Sequence, residues 1–325
     1  MPILDSWSTR EAHRPVFFGT GPPRRGLHIL LEESTMDGLS VEQRPLPAPT
    51  ARDVVVIVLD SCRFDSFAEA APSVVRRLGR LEKRYSYATW TAPSHYNLLM
   101  GLLPHESPRG VHASTYYSRT FRMWSERFGV PDMLWTDMVP HLWLPRLLRR
   151  ELGFLTRAMV SLPVLNEHTP LSGEFDSWMS MPTHNNFGAM VDALTFDDAR
   201  PTFWLLNVGE THYPYAPAHE PASEWPRIHG VHGVFQRLSS GGLVHASEAP
   251  RSFSQDRLDA LRRRQVDVVR HLDPLLHQLL DRLPPGTRVI LTADHGELFG
   301  EAGFFGHGPI HHEKVLEVPF VEGQV

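Results

Sequence analysis

The sequence predicts an α/β protein built on a mostly parallel sheet with helices on both faces. Three observations carry that prediction. Apolar, β-branched runs of strand length recur in DVVVIVLD (Asp53 to Asp60), PTFWLLNVGETHYPY (Pro201 to Tyr215) and TRVILTADHGE (Thr287 to Glu297). Segments with helical spacing lie between them, the alternation expected of a parallel sheet covered on both sides. The runs are apolar without alternation, as strands buried on both faces are, and each stops at a polar cluster.

Taken in chain order, residues 1–50 read as an N-terminal arm, with a short strand in GLHILLEE (Gly26 to Glu33) and a proline-spaced connector, RPLPAPTARD (Arg44 to Asp53). Residues 51–325 read as one domain. APSVVRRLGRLEKRY (Ala71 to Tyr85) has helical spacing and is expected to be the first crossover helix. Next comes TWTAPSHYNLLMGLLPHE (Thr89 to Glu106), where Thr89, Thr91 and Ser94 crowd around Pro93 ahead of an apolar run. A hydroxyl there is ordinarily a helix N-cap, with Ser94 the expected cap, but a turn that opens a helix also suits a nucleophile or a metal ligand. Residues 113–200 are aromatic-rich and weakly periodic, apart from an amphipathic piece from Leu142 to Phe154. Residues 216–253 carry many Gly, Pro, Ser and His and read as a long excursion or lid. A long helix is predicted from about Ser254 to Leu283, stopped by PPG.

The 325 residues carry a formal net charge of -5, with 42% hydrophobic and 21% charged residues. That balance is globular and gives no electrostatic footprint for nucleic acid or for an anionic membrane. The single cysteine, Cys62, excludes an intrachain disulfide and a cysteine-rich zinc site. It reads as a small buried side chain, with a reactive thiol as the alternative. The N-terminus bears charges where a signal peptide needs its apolar core, and no apolar run approaches the roughly 18 residues of a membrane span. A cytoplasmic protein acting on a small molecule is expected.

The polar clusters at the three strand ends carry the chemistry. Asp60, the stretch from Glu210 to His212, and Asp294 with His295 all fall where an open α/β sheet places its ligands, beyond the carboxyl ends of the strands. Two carboxylates and an imidazole suit a divalent metal such as zinc or manganese, and a hydroxyl beside that metal loses its proton easily. Thr91 is the candidate hydroxyl. Singly, each residue has an ordinary reading as a cap, a turn or a structural histidine; together at one sheet edge they point to a site.

The order of Asp60-Ser61-Cys62-Arg63, TAPSHYNLLMGLLPHE, LLNVGETHYPY, LTADHGELFGEAGFFGHG and VPFV resembles the sulfatase branch of the alkaline phosphatase superfamily over residues 53–321. The resemblance implies an alkaline-phosphatase-like α/β/α sandwich. It makes Asp60, Thr91, Asp294 and His295 the ligands of one divalent metal, and Thr91 the nucleophile. His212 matches a histidine that binds the transferring group or protonates the leaving oxygen, and His307 a cationic position contacting the same group. Arg63, His95 and Asn97 are assigned to substrate binding, although an ion pair for Arg63 and a helix-surface amide for Asn97 are the ordinary alternatives.

The departures from the family pattern narrow the chemistry. Ser61 stands where sulfatases have a second aspartate, which disfavours calcium relative to zinc or manganese, with magnesium also admissible. Thr91 and His95 stand where sulfatases have the cysteine that becomes formylglycine and an arginine four residues on. Formylglycine does not form from threonine, so the chain looks like the phosphoryl-transferring relatives, among them nucleotide pyrophosphatases, phosphonate hydrolases and phosphoethanolamine transferases. The expectation is a soluble hydrolase or transferase of phosphate or phosphonate esters. The alternatives are sulfate-ester hydrolysis without formylglycine and a degenerate binding protein. His311 and His312, close to His307 in the sequence, could complete a second metal site, but the two-metal relatives use an Asp-xxx-His spacing that GETHYPY lacks. Relatives usually continue past VPFV into a smaller subdomain; here residues 113–200, residues 216–253, the N-terminal arm or a second copy of the chain are expected to wall the pocket.

Overall fold

The computed structural model describes residues 52–106, 113–133, 142–226 and 254–325. The expected N-terminal arm, and all of the proposed lid beyond residue 226, lie outside the described residues.

Strand β1 (Val54–Leu59) is the middle of the sheet because its sequence, VVVIVL, has nothing polar to show to water on either side. It pairs in parallel with β5 (Thr202–Val208) on one edge and β6 (Arg288–Ala293) on the other. Its side chains alternate between two cores. Val55, Ile57 and Leu59 meet Val268, Leu272, Leu276 and Leu279 of a long helix, whereas Val54, Val56 and Val58 meet Leu98, Phe121, Trp124 and Phe128 on the opposite face. Burying each such side chain contributes about 1.5–3 kcal/mol, which offsets the backbone ordering of the strand.

Among the described residues seven strands make the sheet, in the order β2-β9-β6-β1-β5-β3-β4. Strands β3 (Leu155–Val160) and β4 (Ser177–Ser180) extend the parallel part beyond β5. On the other side β9 (Glu317–Gln324) runs antiparallel to β6, and β2 (Glu82–Tyr85) antiparallel to β9. A two-stranded ribbon, β7 (Leu298–Phe299) with β8 (Phe305–Gly306), lies just after β6.

The helices are α1 (Phe64–Ala70), α2 (Val75–Leu78), α3 (Thr91–Leu99), α4 (Ala113–Phe128), α5 (Leu144–Arg146, running into a π turn), α6 (Phe187–Ala193), α7 (Gln255–Arg282) and α8 (Glu313–Leu316). Helix α7 is the one the 254–283 periodicity predicts, and its sole internal proline, Pro274, is on the exposed face.

The predicted crossover helix over residues 71–85 is a correction. The chain makes one helical turn, α2, and then the edge strand β2. Helical spacing cannot continue because the backbone passes directly over β9. A side chain at Gly79 would come within 2.6 Å of the Glu322 carbonyl oxygen, and one at Gly323 within 1.9 Å of that of Leu78. Gly323→Ala is therefore expected to destabilise the fold by about 1–3 kcal/mol through backbone displacement, read as a lower urea midpoint with an unchanged denaturant slope.

Candidate active site at the strand ends

The register puts Leu59 opposite both Val208 and Ala293, so the three central strands finish level and their next residues share one edge. Asp60 and Asp294, the residues that follow, are both buried, with His295 beside them. One ligand atom from each of these three lies within 4.8 Å of the others. Asp60 Oδ2 accepts a hydrogen bond from Asn207 Nδ2 at 2.8 Å. Asp294 Oδ1 accepts from the backbone N–H groups of Ser61 (3.1 Å) and His295 (2.9 Å), while Oδ2 is buried without a hydrogen-bond partner. His295 Nδ1 is 2.9 Å from the Gly296 carbonyl, which accepts only, so Nδ1 carries the proton and Nε2 turns its lone pair to the carboxylates.

Burial and the charge of Asp60 push the Asp294 carboxyl well above the usual range. At Asp60 the same burial is outweighed by His212, His295 and the Asn207 amide, which hold it below. Burial, then His307, depresses His295 strongly, keeping the imidazole neutral and fit to ligate.

Thr91 opens α3. Its Oγ1 is 3.3 Å from His295 Nε2 and 3.4 Å from Asp60 Oδ1. The positive end of the helix dipole at this first turn favours a developing alkoxide. Ser94, the expected cap, is a correction: the N-cap is Trp90, in extended conformation without a side-chain cap bond, and Ser94 lies inside the first turn, 3.3 Å from the Ser86 hydroxyl.

Two further histidines border the cluster. The rings of His212 and His307 are 5.2 Å apart, and His307 is 4.3 Å from His295. His307 Nδ1 pairs with Glu297 Oε1 at 2.8 Å, and that carboxylate outweighs burial to raise the imidazole above its ordinary value.

The three residues assigned to substrate binding are each engaged by other groups of the protein. Arg63 is buried with its guanidinium on Asp65, on Glu301 and on the Glu297 carbonyl, so the ion-pair alternative describes it. Asn97 donates to the Pro93 carbonyl one turn back. His95 is fully buried behind Thr91, Nδ1 donating to the Thr91 carbonyl at 2.8 Å, so it braces the helix start and has no surface for a substrate. Cys62 is fully buried and its thiol is pushed upward by burial, then by Asp65 and Asp294, which favours the inert reading. His312 caps α8 by accepting from Lys314 N.

Sequence reasoning did not single out Asn207, Gln265, Glu297 or Tyr215, and read Ser61 only as the place of a missing second carboxylate. Asn207 left a visible signal, a lone amide inside the apolar FWLLNV. Ser61 adopts a left-handed φ of 59°, which turns its N–H to Asp294, and Gln265 Nε2 donates to the carbonyls of Ser61 (2.9 Å) and Thr211 (3.0 Å). Nothing in the spacing marked Gln265.

No family model matches the chain, and no curated protein matches it. Among solved structures it is similar to a candidate sulfatase from Bacteroides thetaiotaomicron, with 12% identity and a TM-score of 0.50 over 85% of this chain and 65% of that one. It is also similar to the C-terminal periplasmic domain of EptC from Escherichia coli in complex with Zn (13% identity, TM-score 0.49, 84% and 73% of the two chains). A third is a protein of the alkaline phosphatase superfamily from Vibrio parahaemolyticus (15% identity, TM-score 0.47, 86% and 62%). The fold is alkaline-phosphatase-like.

Glu210, at the end of β5, supplies a pH test of the site's packing. Its Oε1 accepts from Phe187 N at 2.7 Å, Oε2 is buried without a partner, and burial raises the carboxyl from 4.5 to about 7. A raised carboxyl favours the protonated native state, so its contribution to stability is full below pH 4.5 and is lost as pH rises through about 7. Between those limits wild type is expected to lose about 3 kcal/mol relative to Glu210→Gln, measured as the difference in unfolding free energy of the two proteins across the pH series.

Proposed function

We propose that the chain is a metal-dependent hydrolase or transferase of phosphate or phosphonate esters, with Thr91 as nucleophile. One observation carries the reading: the Thr91 hydroxyl meets a neutral imidazole nitrogen and a buried carboxylate at 3.3 and 3.4 Å, where three strand ends converge. The residues fit a divalent cation. Two buried carboxylates near each other, one with an orphaned oxygen, and an imidazole whose lone pair faces them form a donor set suited to a divalent cation. Asp60, Asp294, His295 and Thr91 would hold it, and zinc or manganese suits one nitrogen and few oxygens. Bound there, the cation supplies the charge that lowers the pKa of the hydroxyl and offsets that of an arriving anion.

The chain's own groups do the rest. Thr91 Oγ1 attacks phosphorus in line with the departing oxygen, the P–O bond to the leaving group breaks, and a phosphothreonine forms. Asp60 Oδ1 accepts from the hydroxyl and orients it, and the proton, made acidic by the bound cation, is released to solvent. His212 and His307 lie beside this point and neutralise charge on the phosphoryl and leaving oxygens. Water or an alcohol then attacks the phosphothreonine, and Thr91 is restored. An unmodified threonine favours phosphorus over sulfur as the centre attacked, because a sulfated threonine is hard to release by a second attack.

Thr91→Ala is expected to lower kcat/KM for an aryl phosphate ester by about 10³-fold or more, with Thr89→Ala within a few-fold of wild type, read as release of nitrophenolate. Retained turnover in Thr91→Ala overturns the assignment. Zinc or manganese at 100 times its Kd should raise the stability of the stripped protein by about 2.7 kcal/mol, and Asp294→Asn should abolish that rise in thermal melts.

A further inference from the structure

Glu297 is a buried carboxylate that the cluster of Asp60, Asp294 and His295 does not use. Both of its oxygens are spoken for by side chains. Oε1 is 2.8 Å from His307 Nδ1, and Oε2 accepts from the Tyr215 hydroxyl at 2.7 Å. An ionised carboxylate only accepts, so Nδ1 of His307 carries a proton in this contact and Nε2 is the ring nitrogen left for other partners. Ser61 Oγ, 3.4 Å from the same Nδ1, adds a second restraint on that edge of the ring.

Tyr215 is fully buried in the turn after β5, its ring 5.6 Å from Phe299 and 5.9 Å from Tyr213. Packed on both sides, it keeps its hydroxyl on Oε2, and a carboxylate held at both oxygens cannot rotate. The imidazole it holds borders His295 and His212 and is itself partly accessible.

We propose that Glu297, oriented by Tyr215, is a positioning residue that holds the Nδ1–H of His307 and so fixes the rotation and tautomer of the ring, leaving Nε2, protonated in the imidazolium, to donate to the oxygens of the phosphoryl group being transferred. The role given to Nε2 rests on the phosphoryl-transfer reading above; the tautomer does not. The relay Tyr215–Glu297–His307 acts on the reaction only through the imidazole, which separates it from a residue that merely supports the fold.

A double-mutant cycle tests this with an aryl phosphate ester as substrate. Glu297→Gln should lower kcat ten- to a hundredfold with KM within threefold, and Tyr215→Phe three- to tenfold. Added to His307→Ala, Glu297→Gln should change kcat less than twofold. A loss as large in that background as in wild type, or one confined to KM, overturns the proposal. A second measurement needs no turnover: in 15N-histidine spectra taken where the His307 ring is neutral, and assigned by the signals missing in His307→Ala, the ring should be the Nδ1–H tautomer. The Nε2–H tautomer overturns the proposal whatever the kinetics. A wild-type protein that turns over no phosphate or phosphonate ester while showing Nδ1–H sinks the phosphoryl-transfer reading and leaves the positioning of His307 standing.

Discussion

Two buried carboxylates at the ends of neighbouring parallel strands, Asp60 and Asp294, are the constraint around which the site is arranged. Carboxylates so placed cost several kcal/mol to ionise in the absence of compensation. The compensation comes from separate parts of the chain: the Asn207 amide from β5, the backbone N–H groups of Ser61 and His295, and the imidazole of His295. Only the strand order β5-β1-β6 brings these together. The left-handed backbone at Ser61 belongs to the same arrangement, since holding a non-glycine residue there costs about 1–2 kcal/mol.

This constraint also explains the division of labour between the two faces of the sheet. On one face α3 begins at the strand ends, so its first residue delivers a hydroxyl to the carboxylates and its fifth, His95, braces that residue from behind. On the other face α7 fills the core with leucine and valine, interrupted in its buried stripe by Gln265. One helix presents a reactive group by its end, the other supports the loops by its side.

Much of this was legible in the sequence. VVVIVL, FWLLNV and RVILTA are strands because nothing in them tolerates water on either face, and the polar residues that stop them mark the ligand edge. Asp60, Asp294 and His295 fall at that edge in the sequence, and the structure brings the Thr91 hydroxyl beside them. Chain direction and local rotamers decided the rest. EKRY reads as the end of a helix, but the close passage of Gly79 over β9 makes it a strand. Arg63 and Asn97 lie at suggestive spacings, yet each finds a nearer partner, in Asp65 and in the Pro93 carbonyl. The bonds from Asn207 to Asp60 and from Tyr215 to Glu297 span 147 and 82 positions, and no local period encodes such pairs.

The amide of Gln265 reaches across 204 positions to the carbonyl of Ser61 and, with its other hydrogen, to that of Thr211. A single side chain thus ties the loop that carries Asp60 to the loop that carries His212. These loops are not modules. Grafted onto another sheet without a helix that offers an amide at that height, each would keep its sequence and lose its alignment with the other, so the smallest transplantable unit of this site is three strands together with the first turn of α3, the segment from Asp294 to His307 and the middle of α7.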